Sequence, residues 1–221
     1  MPGRRARHAD VAAPKRHRWW FWLIELVLIV FLAKVVSWGV TSFLVQPFVI
    51  PSGSMEQTLD VGDRILVNKL TSAVSGYHRG DIVVFRDPGN WLAGEVSNAG
   101  DNEYLVKRII GLPGDRVSCR SPEGPLRVNG VALHETYLAD GASPCSDGRL
   151  FSRTVPRGSV WVMGDNRQNS ADSSAHQSLP GHGAVPESDL VGAVFAVVLP
   201  LNRFHFVSNP TAVFAKVPAA G

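Results

Sequence analysis

Polar and apolar positions divide this chain near residue 45. From 21 to 45 almost every residue is apolar, interrupted by Glu25, Lys34 and a few small polar side chains. At a rise of about 1.5 Å per residue, a helix of that length crosses a hydrocarbon core about 30 Å thick. Trp19, Trp20 and Trp22 at one end and Trp38 nearer the other suit the two interfaces. Beyond residue 50 the period changes. Short β-branched runs recur at 64–68, 81–85, 104–110, 159–163 and 192–199, separated by Gly, Pro, Asn and Asp clusters. Asn129-Gly130, centred in the run 126–133, predicts a hairpin closed by a type I′ turn. No sustained helical period and no repeat follows residue 50.

The expected protein is mainly β: a single N-terminal transmembrane helix, then an irregular antiparallel β-sheet or barrel-like catalytic domain. Its boundaries read as a basic tail over 1–18, an anchor over 19–45, a folded domain over 46–208 and a frayed tail over 209–221. Residues 86–103 and 134–157, rich in Gly, Ser and Asp, read as loops.

Charge sharpens this division. The 221 residues carry a net +3, but residues 1–18 hold six basic side chains against Asp10, or +5, which leaves −2 on the rest. A nucleic-acid-binding face on the folded body is therefore not expected. The basic tail predicts a cytoplasmic N-terminus and an extracytoplasmic body. A cleaved leader would share the basic-then-apolar order. Its apolar core would be shorter, however, and no small-x-small site precedes Gln46-Pro47, so a permanent anchor is expected. Cys119 and Cys145 both fall on the exported side, where disulfides persist; their pairing is left open.

Three stretches carry candidate chemistry. In Pro51-Ser-Gly-Ser-Met55 a Gly-containing turn can expose the Ser54 hydroxyl and aim backbone N–H groups at an oxyanion, with Ser52 as a further donor. In the strand-like run 104–110, alternation puts Leu105, Lys107 and Ile109 on one face and Val106 and Arg108 on the other. A lysine flanked by apolar neighbours is placed to lose its charge, and a neutral amine can take the proton of a serine. In the third stretch, 163–173, Asp165 and Asn166 suit a turn, Ser170 can orient the amine, and Asp172 can pair with Arg167 to stiffen the loop.

The ordered motifs resemble the bacterial type I signal peptidases, Ser/Lys enzymes that cut signal peptides from exported proteins. The likeness spans most of 47–195. It rests on Pro51-Ser-Gly-Ser-Met-x-x-Thr-Leu59, Gly62-Asp-Arg-Ile-Leu-Val-Asn-Lys69, Arg79-Gly-Asp-Ile-Val-Val-Phe85, Lys107-Arg-Ile-Ile-Gly-Leu-Pro-Gly-Asp115, Gly164-Asp-Asn-Arg-x-x-Ser-x-Asp-Ser173 and Val185-Pro-Glu187. The resemblance implies Ser54 as nucleophile, Lys107 as general base, Ser52 assisting the oxyanion and Ser170 hydrogen-bonding the lysine. It implies a substrate pocket of Phe48, Ile50, Met55, Leu59, Leu105 and Val106, with Asp165, Asn166, Arg167 and Asp172 in a structural loop. No cofactor or metal is implied. The implied partners are signal peptides of secreted preproteins, membrane lipid and the export machinery. Two departures stand out. Gln57 replaces the family's usual proline, which predicts a looser turn. Ser174 replaces a usual arginine, which leaves Asp172 to Arg167 alone.

Competing readings are a Ser-His-Asp arrangement through His176 with Asp172 and His182 nearby, a non-catalytic anchored β domain, and a self-cleaving Ser/Lys protease of the repressor type. The anchor argues against the last, whose members are soluble.

Overall fold

The computed structural model describes residues 18–92, 104–145 and 148–220. The chain divides into two compact units, Met1–Thr41 and Ser42–Gly221. Helix α1, Arg18–Phe43, contains the one described segment long and apolar enough to cross a membrane, Trp19–Gly39. It ends sooner than the apolar run suggested. The next strand, β1, is Val45–Val49, and it carries Pro47. Pro47 is tolerated because β1 lies at a sheet edge, where a missing N–H leaves no partner stranded.

The larger unit is antiparallel β. Strands β2 (Arg64–Asn68), β3 (Ile82–Arg86) and β4 (Tyr104–Gly111) are followed by β5 (Arg116–Cys119), β6 (Arg127–Val128) and β7 (Val131–Ala132). Then come β8 (Phe151–Thr154), β9 (Ser159–Met163), β10 (Val185–Pro186), β11 (Leu190–Leu199) and β12 (His205–Phe206). One sheet runs β1-β2-β11-β3-β4-β9-β10, with β12 added on β11; a smaller one runs β7-β6-β5-β8. Asn129 and Gly130 have φ of 50° and 84°, as the type I′ turn between β6 and β7 demands. Strand β8 corrects the loop expected over 134–157; residues 93–103 of the other expected loop lie outside the described residues.

Alternation along β3 and β4 assigns the core. Ile82, Val84 and Val106 pack with Ile50, Met55, Leu59 and Ile65. Val83, Phe85, Leu105 and Ile109 pack on the other side with Val160, Val162 and Val185. The large sheet is thus covered on both faces around β3 and β4, and any polar side chain there is desolvated.

A third cluster joins the small sheet to β9 and to the chain end. Here the frayed tail expected over 209–221 is corrected. Phe214, in the helical turn Thr211–Phe214, and Val217 are buried in this cluster, and Asn209 Nδ2 donates to Asp81 Oδ1 at 2.6 Å and to the Arg79 carbonyl at 3.0 Å. Cys119 and Cys145 form a disulfide in the same cluster, with Cα atoms 5.9 Å apart.

Candidate active site

The turn after β1 builds the site. Ser54 sits in a single 3₁₀ turn, Gly53–Met55, closed by Glu56 N–H on the Gly53 carbonyl and by Thr58 and Leu59 N–H on the Met55 carbonyl. Two backbone bonds, Ile50 N–H to Asp63 O and Gly62 N–H to Ile50 O, tie the two ends of the loop together just before β2. Gln57 has a φ of 72°, a left-handed conformation that a ring-locked proline cannot adopt, and its N–H donates to Asp60 Oδ1 at 3.3 Å.

Lys107 reaches this turn from the middle of β4. Its Nζ donates to Ser54 Oγ at 2.6 Å and to the Val106 carbonyl at 3.2 Å. Only 3% of Lys107 and 6% of Ser54 is exposed. Ser52 Oγ lies 3.3 Å from Ser54 Oγ. Ser170 is placed differently from the expectation. Its Oγ is buried without a hydrogen-bond partner, so no bond to Lys107 is formed. A Cβ on Gly164 would collide with this hydroxyl and with the Ser54 carbonyl, which places Ser170 beside the Ser54 turn.

The stretch 164–173 braces the turn from behind. Asn166 N–H donates to the Ser54 carbonyl at 3.1 Å, and its Nδ2 donates at 3.1 Å to both Gly53 O and Glu56 Oε2. Asp165 accepts from Thr58 Oγ1 at 2.6 Å and from Arg108 through Nε at 2.8 Å and Nη2 at 2.6 Å. The expected Asp172–Arg167 pair is corrected: Arg167 pairs with Glu135. Asp172 instead accepts from Gly164 N–H at 3.2 Å and from Ser174 N–H at 3.0 Å and Oγ at 2.6 Å. Ser174 therefore supplies Asp172 with donors that the sequence alone did not credit to it.

Burial tends to discharge Arg108 and Arg167, but the hydrogen bonds and charges of Asp165 and Glu135 outweigh it and leave both guanidinium groups more basic than usual. Tyr137 goes the same way. Burial first, then the Glu135 charge, raise its phenol well above the ordinary tyrosine value, so it remains a neutral donor.

A cleft of about 120 Å³ opens over the pair, lined among others by Ile50, Met55, Tyr104, Leu105 and Val106. Phe48 and Leu59, also expected to line it, stand elsewhere. Leu59 is wholly buried in the core beneath, and Phe48 packs edge-on against Tyr104 at 5.2 Å. Leu92 and Tyr104 take their places in the wall. Tyr104 was legible as the first residue of the β4 run; Leu92 lies in a loop with no periodic signal. The His176 triad reading is lost. Its Nδ1 contacts the Asp172 carbonyl oxygen at 2.8 Å, not the carboxylate, and its ring stacks on Trp91 at 4.4 Å.

A hydroxyl clamped to a buried amine beside a narrow cleft, on an antiparallel β scaffold, is an arrangement fit for a serine peptidase. The chain belongs to the signal peptidase family, peptidase S26, whose pattern matches residues 23–199, and is a serine endopeptidase. Signal peptidase I of Mycobacterium tuberculosis (strain ATCC 25618 / H37Rv) is 38% identical over 224 residues, covering 85% of this chain and 76% of its own. Signal peptidase I P of Bacillus subtilis subsp. natto is 34% identical over 189 residues, covering 83% and 92%. A crystal structure of a signal peptidase I from Enterococcus faecalis V583 aligns over 53% of this chain at 28% identity with a TM-score of 0.38, a superposition too loose to transfer geometry.

Proposed function

We propose that this protein removes signal peptides from exported preproteins, with Ser54 as nucleophile and Lys107 as general base. The observation that carries the reading is the 2.6 Å contact between Lys107 Nζ and Ser54 Oγ, both buried. The neutral amine takes the hydroxyl proton as Oγ attacks the scissile carbonyl carbon, giving a tetrahedral oxyanion. Ser52 Oγ–H is a donor for that oxyanion. The ammonium then protonates the departing amine, and the C–N bond breaks to leave an acyl-Ser54 ester. Water, deprotonated by the same amine, hydrolyses the ester and restores Ser54.

The substrate binds extended beside Leu105 and Val106, adding a strand to the wall of the cleft. The shallow apolar walls admit alanine-sized side chains and exclude larger ones, which gives cleavage after small-x-small. The apolar helix anchors the protein in the membrane lipid, with the basic tail cytoplasmic and the 46–208 domain outside, where the export machinery delivers substrate.

Incubation of the purified protein with a preprotein tests the reading. Ser54→Ala and Lys107→Ala each abolish turnover, and the double variant is little worse than either, since the two groups form one proton-transfer unit. His176→Ala is nearly silent. An active Lys107→Ala beside a dead His176→Ala would reverse the assignment. Equal cleavage after phenylalanine and alanine would remove the pocket.

A further inference from the structure

The Ser54 turn is held from behind by a buried polar chain whose origin lies outside the catalytic motifs. Glu135 follows β7 and its carboxylate is wholly inaccessible. Its Oε2 accepts from Arg167 Nη1 at 3.0 Å, its Oε1 accepts from Arg167 Nη2, and Tyr137 Oη donates to the same Oε1 at 2.7 Å. Arg167 Nε then donates to the Gly164 carbonyl at 3.0 Å, and its Nη1 donates to the Pro144 carbonyl. Four of the five N–H groups of this guanidinium are thereby committed, and they fix the turn that presents Asn166 to the Ser54 carbonyl. The ring of Tyr137 lies under the Arg108 guanidinium, 4.1 Å from centroid to Cζ, so the same chain also steadies the Arg108–Asp165–Thr58 bonds on the far side of the turn.

We propose that Glu135 and Tyr137 are positioning residues for catalysis: they set the nucleophile against Lys107 through Arg167 and Asn166. A buried ion pair gives little net stability, because desolvation offsets its attraction; its better-supported use is to fix one geometry. Glu135 is the carboxylate hydrogen-bonded to Arg167; Asp172 adds its charge, while its own oxygens accept from Gly164 N–H and Ser174. Without Glu135 the buried Arg167 charge loses its hydrogen-bonded counter-ion, the 164–167 turn moves to relieve it, and the Ser54 carbonyl loses its anchor. Misplacing a nucleophile by about 1 Å costs about 100-fold in rate. Leu105 and Val106, which wall the cleft, are held on β4 by its pairing with Phe85 and Val84 of β3, and the polar chain meets β4 at Arg108.

This rests on Ser54 as nucleophile, which Ser54→Ala tests separately: activity in that variant would sink the mechanism whatever Glu135 does. The decisive measurement is kcat and KM of the full-length protein in detergent on a peptide with a small-x-small site, with melting followed in parallel. Glu135→Gln keeps shape and removes charge. It is expected to lower kcat at least about tenfold with KM within about twofold, at a temperature where melting shows it folded. Glu135→Asp, charged but too short to span both Arg167 nitrogens, is not expected to restore the rate. Tyr137→Phe is expected to lower kcat about threefold at unchanged KM. Wild-type kcat in folded Glu135→Gln overturns the proposal, as does a loss that only tracks the folded fraction. If Glu135→Gln does not fold, Tyr137→Phe decides: reduced kcat at unchanged KM supports positioning, and wild-type kcat overturns it.

Discussion

At the scale of residues, Gly164 shows how little slack the site has. It lies one residue after β9 and is buried, and an added Cβ would meet the Ser54 carbonyl and the Ser170 hydroxyl together. Gly164→Ala therefore presses on the Ser54 turn itself. Overpacking of this kind costs about 1–3 kcal/mol, and we expect a lower melting temperature together with a kcat loss larger than the folded fraction explains. A wild-type rate in Gly164→Ala would mean that the turn is softer than its contacts suggest. The buried chain behind the turn also fixes the pH response. Arg108 and Arg167 stay charged, and Tyr137, raised above 10, stays neutral. A tyrosine with a raised folded-state value contributes stability that is complete below pH about 10 and is lost as pH climbs through the folded value. Between pH 7 and 10 the network is therefore constant, and Lys107 is the group expected to govern the rate. As pH rises, kcat/KM should climb with a limb below that of free lysine, survive every histidine substitution, and fall away only above pH about 10. A limb near pH 6.5 that vanishes with one histidine would refute the lysine base.

At the scale of elements, the tail after β12 is a structural part of the domain. Phe214 and Val217 complete the cluster that also holds the disulfide and Trp161. Phe214→Ala removes an aromatic ring from a site 7% exposed and should cost about 3–5 kcal/mol, visible as a fall in melting temperature. Unchanged melting would return the tail to the frayed state that its sequence suggested. That suggestion had a physical cause. Two apolar residues three positions apart near a terminus are too few to set a period, and their burial depends on a small sheet assembled from elsewhere in the chain. Strand β8 was hidden for the same reason: Phe151 is its only buried position, so its pattern resembles a loop. The runs at 64–68 and 159–163 were legible because each places at least two side chains in a core cluster. Ser54 and Lys107 were legible because each stands out within its own run. Glu135 was not, because its partner Arg167 lies 32 positions away and only the fold brings them together.

At the scale of the whole molecule, the residues proposed for the chemistry and the segment long and apolar enough to cross a membrane belong to different units. Ser54, Lys107, the cleft walls and the brace of Glu135, Arg167 and Asn166 all fall within Ser42–Gly221. The core clusters that bury them are drawn from the same span. A protein beginning at Ser42 is therefore expected to fold and to hydrolyse a soluble small-x-small peptide with kcat/KM within about threefold of the full-length protein, since it keeps Ser54, Lys107, the cleft walls and the brace. Its deficit should appear only when the substrate is itself held in a bilayer. Anchoring both partners in one surface raises their effective concentration, so the full-length protein in vesicles should cleave a membrane-inserted preprotein far faster than the shortened form added from solution. The paired assays separate two roles for the helix. Loss of peptide hydrolysis in the shortened form would make the helix part of the catalytic fold, whereas equal rates on the vesicle-held preprotein would deny it any part in bringing enzyme and substrate together.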